Sequence, residues 1–107
     1  MAQHLNSRVG DQVLLELRDS SAVSEARRMA LRLASKEEFS DTESGNAALI
    51  ATELATNLIK HARDGRMIMR TLGQGSDAGI EIMALDRGPG IRDVAQSMRD
   101  GYSASCS

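Results

Sequence analysis

Two short groups of residues have the types and spacing to do chemistry. Glu53 and Asn57 lie four residues apart in a run with helical patterning, so they stack one turn above the other on one helix face. Asn offers a neutral carbonyl oxygen, which suits a hard divalent cation such as Mg²⁺ that keeps most of its waters. Glu offers a base able to take a proton from a water or hydroxyl nucleophile. The second group is Leu85-Asp86-Arg87-Gly88-Pro89-Gly90-Ile91. A carboxylate at a strand end, as Asp86 would be, can accept a hydrogen bond from an exocyclic amine such as that of adenine. Gly88 and Gly90 can take positive φ and let a ligand lie against backbone, and Pro89 stiffens the turn. Each group also has a plainer reading. Polar i, i+4 pairs are common on helix flanks, and Asp, Gly and Pro are ordinary turn residues. Lys60 and His61 read first as cations near a helix C-terminus, with a phosphate contact as the alternative for Lys60.

These residues need elements to hold them. Gln12 to Leu17 is a short apolar run that reads as a strand. Asp19, Ser20 and Ser21 are candidate N-caps for an amphipathic helix with Ala22, Val23, Ala26, Met29, Ala30, Leu33 and Ala34 on one stripe, ending near Lys36 to Phe39. Ser40 and Glu43 have the spacing of a capping box. They open a second helix that runs to about Ala62, its apolar set being Ala47, Ile50, Ala51, Leu54, Ala55, Leu58 and Ala62. Relative to Ile50, Asn57 falls at about −20° and Glu53 at about −60°. Both therefore flank the apolar stripe, where a side chain can reach the mouth of a pocket between helix and sheet. Arg66 to Leu72 and Gly79 to Leu85 read as two strands joined by a Gly-rich connection, an antiparallel hairpin. Arg92 to Asp100 reads as a short helix with Val94, Ala95 and Met98 inward. Met1 to Gly10 reads as a loose arm. The expected fold is an α/β (α+β) two-layer sandwich, with helices on one face of a small, mostly antiparallel mixed sheet.

The chain has 107 residues, 41% hydrophobic and 26% charged, a globular composition that fits a single domain over 1–107. Phe39 and Tyr102 are its two aromatics, so Leu, Ile, Val, Ala and Met must build the core. A formal charge of −2 gives no basic footprint for nucleic acid and no electrostatic attraction to an anionic membrane. No apolar run approaches the ~20 residues of a membrane span, and no signal peptide is visible. Cys106 is the one cysteine. It has no partner for an internal disulfide, and a reducing cytoplasm is the expected compartment.

The run from Glu53 to Ala62, E-L-A-T-N-L-I-K-H-A, followed by Ala84 to Ile91, A-L-D-R-G-P-G-I, resembles the GHKL ATPase/kinase superfamily. Within it, the chain is most similar to the small anti-sigma-factor serine/threonine kinases of bacterial partner-switching systems. The first run resembles their N box and the second their first glycine box; the pairing in this order is more specific than either half. The resemblance covers nearly the whole chain, from Gln12 to the segment Asp100 to Ser103, where the family's ATP lid begins. It implies a HATPase-like (Bergerat-type) site for ATP and Mg²⁺. Asn57 would hold the metal, Glu53 would be the general base, Asp86 would bind the adenine amino group, and Gly88 and Gly90 would shape the floor. It also implies transfer of the γ-phosphate to a Ser or Thr of a STAS-domain anti-anti-sigma protein, with catalysis resting on positioning and charge neutralisation.

The family pattern continues into a lid, a second glycine box of the form G-x-G-L-G and further strands, whereas this sequence ends at Ser107. The expectation is an adenine-and-metal half-site with weak or no kinase activity by itself. An open sheet edge is expected too, available to a second copy. Two functions from different classes follow: a signal-transducing protein kinase, or a non-catalytic interaction module with a partial nucleotide site. A third reading is an α/β domain whose short motifs are coincidental.

Overall fold

The computed structural model describes residues 11–88 and 90–99. The expected N-terminal arm, Pro89, the start of the lid and the tail with Cys106 lie outside the described residues. Four strands, β1 (Gln12–Glu16), β2 (Arg66–Leu72), β3 (Gly79–Asp86) and β4 (Gly90–Met98), form one sheet in the order β1-β2-β3-β4. Every pairing in it is antiparallel. Helices α1 (Ser21–Lys36) and α2 (Asp41–His61) pack against each other and on one face of the sheet. This is the expected two-layer sandwich. None of the helices among the described residues is long and apolar enough to cross a membrane.

Local chemistry sets the ends of the elements. The Ser40 hydroxyl accepts from the Glu43 N–H at 3.1 Å, and the Ser40 N–H donates to Glu43 Oε1 at 2.7 Å. Two of the unpaired N–H groups at the start of α2 are satisfied in this way. Before α1, Asp19 Oδ1 accepts from the Ser21 N–H at 2.9 Å, while Ser20 at the N-cap position makes no side-chain cap bond. In the β2–β3 connection Gly73 has φ +68°, and a Cβ there would fall 2.4 Å from the Asp77 carbonyl oxygen. That turn requires glycine.

The sheet alternates as period 2 demands. Leu15, Met67, Met69, Ile80, Ile82 and Ala84 point into the helix layer and are buried. On the opposite face, Leu14, Ile68, Met83 and Val94 stand in one cross-strand row. The helices meet this surface through small side chains. Ala26, Ala30 and Ala34 on α1 and Ala47, Ala51 and Ala55 on α2 are fully buried, each set at four-residue spacing. Alanine ridges let helices approach at the short end of the usual roughly 8–10 Å range. With almost no aromatic bulk, close approach is how this core reaches density.

One expected element differs. The stretch from Arg92 was expected to be a short helix; it is instead the body of β4, paired with β3 from Asp86↔Gly90 to Gly79↔Met98. Val94, Ala95 and Met98 do have helical spacing, but β3 offers an unpaired edge directly after the glycine turn, and ladder bonds there outweigh a weak local pattern. Gly90, with φ +89°, starts the strand.

Overfilling the alanine seam should be costly. Ala51→Leu is expected to lower stability by about 1–3 kcal/mol, read as a lower urea midpoint with an unchanged denaturant slope. An unchanged midpoint would show that the helices have slack between them.

Candidate functional site

The sequence candidates come from two elements that converge at one end of the sandwich. α2 carries Glu53, Asn57, Lys60 and His61, and the β3–β4 hairpin carries Asp86, Gly88 and Gly90. Between α2 and the sheet lies a cavity of about 270 Å³ lined by Leu54, Asn57, Leu58, His61, Ala84, Arg92 and Asp93. Asn57 thus reaches the pocket mouth, as its angular position on α2 predicts. Glu53 and Lys60 are exposed and are not among the residues that line this cavity.

Asp86 is the last residue of β3, and its carboxyl is 9% exposed. Its Oδ1 accepts from the Gly88 N–H at 3.2 Å, and its Oδ2 accepts from Arg92 Nη1 at 2.8 Å. These partners hold the Asp86 carboxyl below its usual range. The Gly88 N–H contributes most, burial opposes it, and the Arg63 N–H and Arg92 add to the lowering. Asp86 is therefore an acceptor-only carboxylate at neutral pH, the form that an exocyclic amine needs. Gly88 does not take positive φ, and a Cβ on it would meet nothing within 4 Å. Its own fold does not require glycine, so a bare backbone there matters only to something that packs against it. Gly90 does take positive φ.

Three polar lining residues, Arg92, Asp93 and His61, were not site candidates in the sequence. Arg92 and Asp93 reach the cavity through a β-bulge: Ala84 pairs with Asp93 and Leu85 with Ile91, which leaves Arg92 as the extra residue. Bulges re-aim side chains in this way beside functional sites. The signal would have been visible only with the stretch read as a strand, since the helical reading sent Val94 and Ala95 inward instead. His61 had been assigned to the helix C-terminus alone; it lines the cavity from that position.

The profile of the histidine kinase-like ATPase domain matches residues 17–104, a span that includes α2 and the β3–β4 hairpin. The chain belongs to this family. The serine/threonine-protein kinase RsbT of Bacillus subtilis (strain 168) is 27% identical over 97 residues, which cover 91% of this chain and 73% of that protein.

ATP with Mg²⁺ is the ligand that membership in a histidine kinase-like ATPase family implies, and the residues fit it in part. Asn57 and Asp93 bring two oxygen donors to one cavity, a set suited to a cation that retains several waters. Asp86 does not line this cavity but is joined to it through Arg92, and its carboxylate is in the form an amine-bearing ligand would need. The cavity, however, is smaller than the roughly 300–1,000 Å³ of small-molecule sites, and Arg92 occupies one Asp86 oxygen. A whole nucleotide requires Arg92 to move aside.

The Asp86 network should be visible in acid unfolding. The folded-state value is depressed, so its stabilisation is complete above the unfolded value of about 3.9 and is lost as pH falls through the folded value. Thermal midpoints of the parent chain and of Asp86→Asn should differ at pH 6, and the gap should shrink progressively as pH falls below the ordinary carboxylate range. A gap that stays constant throughout the acid limb would assign the effect to packing rather than charge.

Proposed function

We propose that this chain is an ATP-binding serine/threonine protein kinase of the anti-sigma type, acting on a STAS-domain anti-anti-sigma protein in a bacterial partner-switching pathway. The observation that carries the reading is a helix–sheet cavity lined by Asn57 and by Arg92, the residue that pairs with the ionised Asp86, in a chain with a histidine kinase-like ATPase domain. The likeness to a serine/threonine-protein kinase over most of the chain supports the choice of phosphoryl acceptor.

In this reading Asp86 accepts a hydrogen bond from the adenine amino group, and Gly88 and Gly90 leave backbone open to the base and ribose. Asn57, with Asp93 beside it, would hold Mg²⁺, and Lys60 offers a cation to the phosphates. Glu53 takes the proton from the attacking hydroxyl. Bound Mg-ATP supplies the γ-phosphoryl group and the metal charge. The chain's own contribution is mostly positioning. The alternative, a non-catalytic regulatory module with a partial nucleotide site, is favoured by the Asp86–Arg92 ion pair and the small cavity.

Calorimetric titration of Mg-ATP is expected to show saturable binding that Asp86→Asn weakens by roughly 10–100-fold. Asn57→Ala should weaken Mg-ATP and leave metal-free ADP little changed. Glu53→Gln should keep binding and reduce transfer of labelled phosphate to a STAS-domain protein by roughly 10²–10⁴-fold. Absence of binding by both the parent chain and Arg92→Ala would overturn the nucleotide reading. Binding without phosphotransfer would select the regulatory module.

A further inference from the structure

A second cavity, of about 690 Å³, lies beyond the C-terminal end of α2. Its walls come from the end of β1 (Glu16, Leu17, Arg18), the last turns of α2 (Leu58, Ile59, Ala62), the turn at Asp64 and Gly65, the start of β2 (Arg66), and Arg87 after β3. Leu58 is the single residue it shares with the Asn57 cavity. None of the nucleotide-site candidates lines it.

The charges around it are distinctive. Three guanidinium groups, of Arg18, Arg66 and Arg87, face two carboxylates, of Glu16 and Asp64. The rim is therefore net positive on a chain of net charge −2. Arg18 pairs with Glu16 at 2.6 Å and Arg87 with Asp64 at 3.0 Å. All four side chains are more than half exposed, so these pairs are held weakly against exchange. The Arg66 guanidinium has no hydrogen-bond or ion-pair partner among the described residues. Between the charges, the partly exposed apolar surface comes from Ile59 and Ala62, with Leu17 and Leu58 buried beneath.

We propose that this cavity is a docking site for an acidic segment of a protein partner, one that sets carboxylates on the arginines and a branched aliphatic side chain against Ile59 and Ala62. Guanidinium forks bind carboxylates bidentately and desolvate more readily than ammonium groups. The volume is within the roughly 300–1,000 Å³ that takes several side chains. The interleaved Glu16 and Asp64 disfavour a polyphosphate, whose dense charge would face both acids. Separated carboxylates on a peptide can pair with the arginines and avoid them. The site rests on its own cavity and charges and does not depend on nucleotide binding.

The test uses the purified full chain and a fluorescein-labelled peptide of alternating glutamate and leucine, read by anisotropy. Saturable binding is expected, weakening as salt rises from about 50 to 300 mM and at least roughly tenfold weaker for the glutamine isostere of the peptide. Arg66→Glu with Arg87→Glu should weaken it at least roughly tenfold. The same charge change on α1, Arg28→Glu with Arg32→Glu, should leave it unchanged. If the first pair unfolds by circular dichroism, Arg66→Gln with Arg87→Gln replaces it, with loss of binding again expected. No saturable binding, equal loss in the α1 pair, or full displacement by millimolar inorganic phosphate would each overturn the proposal.

Discussion

A carboxylate stripped of most of its water must find other partners or take up a proton, and Asp86 finds two. Gly88 donates from the hairpin turn and Arg92 from the bulge in β4, while the Arg63 backbone nearby also favours the charged form. One buried charge thereby ties the end of β3 to the start of β4. The Arg87 N–H extends the tie to the chain just past α2 by donating to the Arg63 carbonyl at 3.2 Å. Arg92 joins this network to the Asn57 cavity, since it both donates to Asp86 and lines that cavity.

That arrangement explains why the family's ligand needs a rearrangement here. Arg92 gives Asp86 a charge-assisted bond that water or an amine gives less strongly. An adenine amino group must share Asp86 Oδ2 with the guanidinium or displace it. Arg92 is 38% exposed, so its head group can turn to solvent at modest desolvation cost, leaving Oδ2 available while Gly88 continues to hold Oδ1. The pair is consistent with both a nucleotide site closed in its ligand-free form and a permanent structural bridge. The distinction lies in whether Arg92 releases the carboxylate when an amine competes for it.

Most of the fold was legible in the sequence because its signals were local and redundant. The Ser40–Glu43 box marked the start of α2, its alanine and leucine stripe gave its buried face, and Asn57 fell at the cavity mouth as the helical angle required. The alternation in Gly79–Asp86 gave β3 and its inward face. β4 was not legible, because Arg92 to Met98 has few strand-forming residues and its conformation is decided by a neighbour's open edge. Arg92 and Asp93 were lost from the site for the same reason. Register, and the bulge that shifts it between Ala84 and Leu85, is a property of two strands together. The Arg18–Arg66–Arg87 cavity was equally hidden, since its rim gathers residues from positions far apart in the chain.

The two cavities are neighbours through covalent structure as well as space. Asp86 belongs to the nucleotide-site candidates and Arg87, the next residue, to the rim of the larger cavity. Leu58 forms a wall of both and is fully buried. Gly65 fits tightly against it, since a Cβ there would lie 3.2 Å from Leu58 carbons. Arg87 and Asp64 meet through exposed head groups that can part without moving the backbone, whereas Leu58 and Gly65 are fixed by close packing. Coupling between a partner at one cavity and a ligand at the other would therefore have to run through the Leu58–Gly65 contact, which has little slack, rather than through the ion pairs on the rim.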